Sequence, residues 1–425
     1  MYVKIGTTEY TQVKNLSFSP ETSIISDKVP VNQFDVDIVT DSPGISAGMD
    51  IELYDDLDIL WARYWVIFAE RIDRYTIRVR AESKISLLDR KTMDGTMYTN
   101  YPVEDLIDDI FSDFASTEYS LDSSFVGQKI NGYMGHHSKR YRLQLVCFVL
   151  GAYVKTYFND KIEILPLDDT DTFIPKNVTF WRPTVTYKDW VTAIKIKTFA
   201  YTQGTPTTTD EWVEDQNGDT YIQTSQEVML TNPDAPITAP PNIVEISDVQ
   251  IVNSSNVSGI ISRLSEIYFN RIETDLDVIN NGEYEPGQRV TVFTSEDTMN
   301  VGYIQNETFS FGVQARAKLK VTPAESRDAA TLTINYMWVD TIVGQSVWIL
   351  PVDYVYSIEN PYVDLVLNKH RYVFRPDNET ADGTMVAGGV TDTEPVQVAL
   401  DYYDGTLYII SVDDLEQDGS EVDIE

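Results

Sequence analysis

Apolar and polar residues alternate over residues 34–39, with Phe34, Val36 and Ile38 set against Asp35 and Asp37; Ser42, Pro43 and Gly44 supply a turn, and the alternation resumes over 51–54. A period of two predicts half-buried strands, because successive side chains leave a strand on opposite faces. The clearest case is 74–81, with Tyr75, Ile77, Val79 and Ala81 on one face and Arg74, Thr76, Arg78 and Arg80 on the other. Several short strands at this spacing predict a small barrel or sandwich over residues 1–95.

The period then changes to 3.6. Val103, Leu106, Ile107, Ile110, Phe111 and Phe114 form one stripe, and Glu104, Asp105, Asp108, Asp109 and Asp113 lie outside it. Pro102 followed by two carboxylates is a sound helix start, since proline needs no hydrogen bond there and the acids face the positive end of the helix dipole. A second helix is predicted over 140–152, with Leu143, Val146, Cys147 and Leu150 on one face, and a hairpin turning at Asn159 and Asp160 follows it. Residues 96–172 therefore read as a small α+β unit inserted in β structure.

Beyond Pro166 the pattern is again β: a strand over 185–200, a Thr-, Gly- and Pro-containing loop over 202–210, and a turn-rich break over 232–242. A helix is predicted over 257–271, with Ile260, Ile261, Leu264, Ile267 and Tyr268 apolar, then strands over 272–279, 290–292, 303–304, 309–311 and 315–321. Arg316, Lys318 and Lys320 share one face of the last of these, echoing Arg74, Arg78 and Arg80. The echo suggests two related β-barrels, over 1–95 and 173–325, separated by the helical insertion. Residues 326–425 read as a further β-rich domain, and its acidic end, 413–425, as a mobile tail.

Composition sharpens this picture. The 425 residues carry 67 Asp plus Glu against 32 Lys plus Arg, a formal net charge of −35, with 42% hydrophobic and 12% aromatic residues. That excludes a protein whose main task is to grip phosphate backbones, which needs clustered cations, but it does not imply disorder, because the apolar content is more than a solvating acidic tail carries and points to a large core. The acid is concentrated: residues 198–262 and 376–425 contain no Lys or Arg at all, whereas 63–91 holds eight basic and four acidic residues. Residues 1–13 show no apolar leader, and the longest apolar run, 145–154, is about half of what a membrane span requires. A single cysteine, Cys147, leaves no internal disulfide and suits a reducing cytosol.

Little in the sequence points to catalysis. His136 and His137 sit together in a loop and His370 stands apart; surface positions are the favoured reading over metal ligation. Cys147, flanked by Val146 and Phe148, reads as a packed inert thiol. Asp168, Asp169 and Asp171 lack the spaced ligands and final glutamate of a calcium loop, and no phosphate loop, nucleophile elbow or zinc-protease helix is present. No enzyme activity and no cofactor are expected.

Four stretches resemble the tail hub proteins of bacteriophages: 86–90 (SLLDR) with 98–107 (YTNYPVEDLI), 143–152 (LQLVCFVLGA) with 160–162 (DKI), 268–271 (YFNR), and 284–292 (YEPGQRVTV) with 309–312 (FSFG). The likeness spans about residues 1–325 and is one of fold pattern, without catalytic signatures. It implies two domains shaped like the tail-tube subunit, so that a homotrimer presents six barrels to the sixfold tube above and three equivalent sites to a tip or spike below. Distal tail or baseplate wedge proteins are further implied partners, and genome DNA would pass through the ring as cargo. The implied location is the virion tail, assembled in the host cytoplasm, without stable membrane insertion. On this resemblance Arg74, Arg78, Arg80, Arg316, Lys318 and Lys320 become candidates for subunit interfaces. The alternative is a host-surface carbohydrate-binding adhesin or depolymerase, with Trp338, Trp348, Tyr402 and Tyr403 as stacking candidates.

Overall fold

The computed structural model describes residues 1–328 apart from 42–43, 168–169, 176–177, 181–182, 281, 295–297 and 312–314. Beyond 328 it describes the backbone of 337–342, 345–350, 363–367, 370–374, 385–386, 398–403, 406–411 and 422–424. The chain divides into two compact units, one comprising Met1–Ile174, Val178–Thr291 and Val301–Glu325 and the other Pro175–Asn177, Val292–Asn300 and Ser326–Glu425. The described elements are mainly β.

The first unit is built on a large antiparallel sheet. Strands β1 (Tyr2–Ile5), β2 (Thr8–Tyr10), β3 (Val13–Phe18), β4 (Gln33–Val39), β5 (Asp50–Tyr54), β6 (Leu60–Arg71) and β7 (Thr76–Ser83) lie in the order β3-β4-β7-β6-β5-β1-β2. The alternation read from sequence is present: Ile77, Val79 and Ala81 of β7 are buried, and Arg78 and Arg80 between them are exposed. Arg74 precedes β7, in the turn after β6, where its carbonyl accepts a hydrogen bond from the Arg71 guanidinium (2.6 Å).

The same sheet continues past β3. Strand Thr298–Phe311 lies beside β3 with Phe309 opposite Phe18, and Ala315–Asp328, Ile272–Ile279 and Thr184–Tyr187 follow outward in that order. The seam between the halves is extended by backbone bonds from Thr22 N–H to the Gln305 carbonyl (2.9 Å) and from Glu307 N–H to the Pro20 carbonyl (3.0 Å). The segment read as separate strands at 303–304 and 309–311 is one strand of fourteen residues.

Three helices stand apart from this sheet. Helix α1 (Val103–Ile110) buries Val103, Leu106, Ile107 and Ile110 as its stripe predicts. It ends four residues before Phe114, and Phe111, just past its end, stacks on Tyr119 (4.6 Å). Helix α2 (Lys139–Leu150) begins where the Ser138 hydroxyl accepts the Tyr141 N–H and ends at Gly151, whose φ of 73° is the left-handed conformation glycine adopts without strain. Helix α3 (Val257–Tyr268) ends with its apolar pattern at Tyr268, three residues short of the predicted span. A small sheet, Tyr119–Leu121, Ile162–Pro166 and Ala152–Lys155, completes the α+β part.

One expectation is corrected here. The acidic stretch from 198 to 262, expected as a loop-rich part of the second barrel, forms most of a separate four-stranded sheet. Its strands run Glu211–Glu214, Thr220–Thr231, Ala193–Gln203, Ile243–Ile246. Ala193–Gln203 and Thr220–Thr231 pair over eleven residues. Ile194, Ile196, Val249, Ile251 and Val252 from this region share one core with Leu106 of α1, Leu143 and Val146 of α2, and Ile260 and Leu264 of α3. Burial of that apolar face, rather than proximity in sequence, draws the arm onto the insertion. The strand expected over 185–200 is accordingly two, Thr184–Tyr187 in the large sheet and Ala193–Gln203 in the arm.

The second unit holds a five-stranded sheet, Met337–Ile342, Gln345–Leu350, Thr406–Ser411, Val398–Tyr403, Met385–Val386, and a three-stranded one, His370–Phe374, Val363–Leu367, Val422–Ile424. Val422–Ile424 pairs with Val363–Leu367, so this part of the acidic end is a strand, not a mobile tail. The rest of the expected tail, 413–421 and 425, lies outside the described residues.

Candidate assembly surfaces

The basic faces singled out in the sequence lie beside acidic ones in both halves of the large sheet. In the first half the register sets Asp35 opposite Arg80 and Asp37 opposite Arg78. Arg78 grips Asp37 through Nε and Nη2 (2.9 and 3.1 Å), and Arg80 grips Asp35 in the same way (2.7 and 3.4 Å). In the second half Asp275 stands opposite Lys320 and Asp277 opposite Lys318. Arg316 reaches Asp277 diagonally (3.7 Å) and lies 3.8 Å over the Phe180 ring, while Lys320 pairs with Glu273 (2.8 Å). Each half thus carries an acid-x-acid strand beside a base-x-base strand.

The acidic partners were missed from sequence, although the alternation at 34–39 already set Asp35 and Asp37 on one face. Pairing identifies which basic face they meet, and pairing is not local. The Arg78 hydrogen bond holds the Asp37 carboxyl below the ordinary aspartate range against the cost of its burial. Arg78 and Arg80 keep about half of their side-chain surface exposed and so still present cations outward. The Arg80–Asp35 pair, exposed on both sides, contributes little to stability because solvent screens it. Arg74 lies over Tyr75 (5.2 Å), which is itself half exposed.

At the seam, side chains from three parts of the chain meet. Phe18 of β3, Trp61 of β6, Phe309 and Phe311 of the facing strand, and Phe158 from the turn after Ala152–Lys155 form one aromatic cluster, with Trp61 4.5 Å from Phe309 and 5.3 Å from Phe158. Beside it Glu307 is fully buried. Asn280 donates through Nδ2 to Glu307 Oε1 and accepts through Oδ1 from the amides of Gly282, Glu283 and Tyr284, which fixes the turn read from sequence at 280–282. No described group meets Glu307 Oε2.

Burial raises the Glu307 pKa well above the ordinary glutamate value; the Asn280 hydrogen bond opposes the rise and Glu285 adds to it. The folded state therefore holds a proton that the unfolded chain releases above about pH 4.5. Stability contributed by this group is complete below that pH and is lost as pH rises toward the folded-state pKa. Glu307→Gln, which cannot ionise, is expected to match the wild type near pH 4 and to exceed it at pH 8 by on the order of 2 kcal/mol. Urea unfolding across that range measures the difference, and a gap that stays constant with pH would refute the assignment.

The histidines and the cysteine occupy separate places. His136 is exposed with Nδ1 3.0 Å from Asp94, and His137 packs on Tyr141 (4.6 Å). Cys147 is buried in the α1/α2/α3 core, and burial pushes its thiol up to about 12. Asp168 and Asp169 lie outside the described residues. So do the side chains of Trp338, Trp348, Tyr402 and Tyr403, although the backbone register sets Trp338 opposite Trp348. Among the described residues no group of three His, Cys, Asp or Glu is placed to hold a metal ion. No described helix is long and apolar enough to cross a membrane.

No protein-family model matches the sequence. No curated protein matches it either. The fold does have solved counterparts. The tail protein from Neisseria meningitidis MC58 superposes with a TM-score of 0.55 at 9% identity, covering 76% of this chain and 95% of that one. The 43 kDa tail protein of prophage MuSo2 from Shewanella oneidensis superposes at 0.52 and 13% identity, covering 76% and 98%. The chain has the β-rich fold of phage tail proteins.

Proposed function

We propose that this protein is a structural tail hub: three copies form a ring at the distal end of a phage tail tube, adapt its sixfold symmetry to a threefold tip or spike, and leave a channel for DNA. The observation that carries this reading is the duplicated charge ladder in one fused sheet, Asp35/Asp37 with Arg80/Arg78 and Asp275/Asp277 with Lys320/Lys318. Two similar halves in one chain turn three copies into six, and the likeness to tail proteins supports the setting.

Within this reading, 1–95 and 173–325 are the two tube-like domains, with the arm at 193–246 and α3 leaving the second of them to pack on the insertion at 96–172. Residues 326–425 are the C-terminal domain. The protein acts by assembly, without catalysis or cofactor. Its neighbours are the tube protein above, the tip or spike below and baseplate or distal tail proteins around it, and its place is the virion tail, built in the host cytoplasm. An acid-rich channel wall would repel DNA phosphates and let the genome slide.

The outward parts of Arg74, Arg78, Arg80, Arg316, Lys318 and Lys320 serve ring contacts in this proposal, with Asp35 and Asp37 orienting two of them. Light scattering on the purified chain should give the mass of three copies, and electron microscopy a ring. The double variant Arg78→Glu/Arg80→Glu sets like charges against Asp37 and Asp35 and should shift the particle toward monomer while leaving the far-ultraviolet circular dichroism intact. An unchanged trimer would remove these residues from the interface, and a wild type that stays monomeric would refute the ring. Specific binding in a glycan array would instead support the adhesin reading.

A further inference from the structure

The turn between β5 and β6 is a rigid, acidic, apolar knob. Leu57 is 79% exposed and Ile59 49%. The Asp55 carboxylate accepts the amides of both Leu57 and Ile59 (2.8 Å each), the Asp55 N–H closes onto the Ile59 carbonyl (3.0 Å), and Asp58, at φ 61°, accepts the Tyr2 hydroxyl (2.9 Å). Leu57 is thus held out into solvent between Asp58 and Asp56, whose carboxylate meets the N-terminal ammonium yet stays largely exposed, with little freedom left to lose on docking.

The other end of β5 borders a groove of about 280 Å³ with a largely apolar floor, formed by Trp65, Leu87, Leu88 and Phe114. Its rim is charged, but most of the charge is already matched: Lys84 bonds Asp50 (3.2 Å) and Glu118 (2.8 Å), and Lys91 bonds Asp113. Arg90 differs. Its guanidinium lies 4.3 Å over the Trp65 ring and has no ion pair among the described residues. An apolar floor beneath one unmatched cation suits an apolar side chain flanked by carboxylates, and the knob at 55–59 has that chemistry.

We propose that the knob of one copy seats in this groove of a second copy, with Leu57 on the floor and an adjoining carboxylate, Asp56 or Asp58, against Arg90. A copy cannot fill its own groove. The five residues of β5, about 17 Å of extended chain, hold knob and groove apart within a paired sheet. In a closed ring every copy gives one knob and receives one, so none is left exposed. The proposal rests on the ring reading for the presence of neighbouring copies, but not on attachment to a tail.

The test is disulfide trapping in the full chain. Leu57→Cys combined with Leu87→Cys, under mild oxidation, should produce bands linked between copies on a non-reducing gel, while either single variant should not; the native Cys147 is buried and does not compete. Leu57→Asp and Arg90→Glu, both at exposed positions, should each weaken self-association about tenfold or more in sedimentation with unchanged circular dichroism. Adding Asp56→Arg to Arg90→Glu should recover part of that loss. A wild-type trimer that gives no linked bands overturns the knob-and-groove contact and leaves the ring standing. Linked pairs that never exceed two copies uphold the contact and overturn the ring, and a wild type that is monomeric at all concentrations overturns both.

Discussion

Arg142→Leu is expected to cost about 4–6 kcal/mol and to lower the melting temperature by roughly 10 °C or more. Arg142, on α2, is fully buried and makes no ion pair among the described residues. Its Nη1 donates to the Tyr98 hydroxyl (2.8 Å), and its Nη2 faces the carbonyls of Met93 (3.2 Å), Asp94, Met134 (3.3 Å) and Gly135 (2.9 Å). One side chain therefore ties the start of Thr96–Pro102, the end of Lys129–Met134 and the loop before α2 to the helix. Leucine fills part of the volume but leaves those carbonyls facing an apolar core, and each buried polar group stripped of its partner costs about 1–3 kcal/mol. Arg142→Lys should recover only part of the loss, because an ammonium lacks the planar fork that serves two directions at once. Thermal melts of the three proteins check the order wild type, Lys, Leu; a drop of less than about 2 °C for Leu would show that these bonds are replaced by water.

Trp61→Ala should be nearly as severe, about 4 kcal/mol, within the range for deleting a large aromatic from a packed core. Trp61 touches aromatic rings from β3, from the facing strand and from the turn at Phe158, whose backbone N–H also bonds the Trp61 carbonyl (2.7 Å). Its loss opens a cavity where the two halves of the sheet join. The indole nitrogen has no partner among the described residues, so no hydrogen bond is lost on going to phenylalanine. Trp61→Phe is therefore expected to cost less than half as much as Trp61→Ala. Because Trp61 packs on both Phe18 and Phe309, which stand opposite each other at the seam, Trp61→Ala should also speed hydrogen exchange at the amides of Thr22 and Glu307. Equal destabilisation by Phe and Ala would point instead to a polar role for the indole.

Periodicity and turn residues exposed the local elements: the alternation of β4 and β7, the stripe of α1, the proline at its start and the asparagine turn at 280; the stop of α2 at Gly151, inside the predicted helix 140–152, was not read. The basic faces at Arg78/Arg80 and at Lys318/Lys320 were legible for the same reason, since every second residue of a strand shares a side. Their acidic partners were not, because the register that sets Asp37 against Arg78 is fixed by burial of Val36 against Val79 across two strands. The acidic stretch from 198 to 262 misled because its long strand, Thr220–Thr231, is half exposed and carries little alternation to read.

By itself the sequence determined the strands β4 and β7 and the helical stripe of α1, how unevenly the charge of −35 is distributed, and that a base-x-base pattern recurs at Arg78/Arg80 and Lys318/Lys320. These follow from the order of side chains over a few residues, where geometry alone ties spacing to face. The tertiary structure decided that the two parts of the large sheet join through Phe18 and Phe309, that the four-stranded sheet folds onto the insertion, and that Arg142 and Glu307 are buried with no ion pair among the described residues. Such outcomes depend on which distant apolar faces find one another, and no local period encodes that choice.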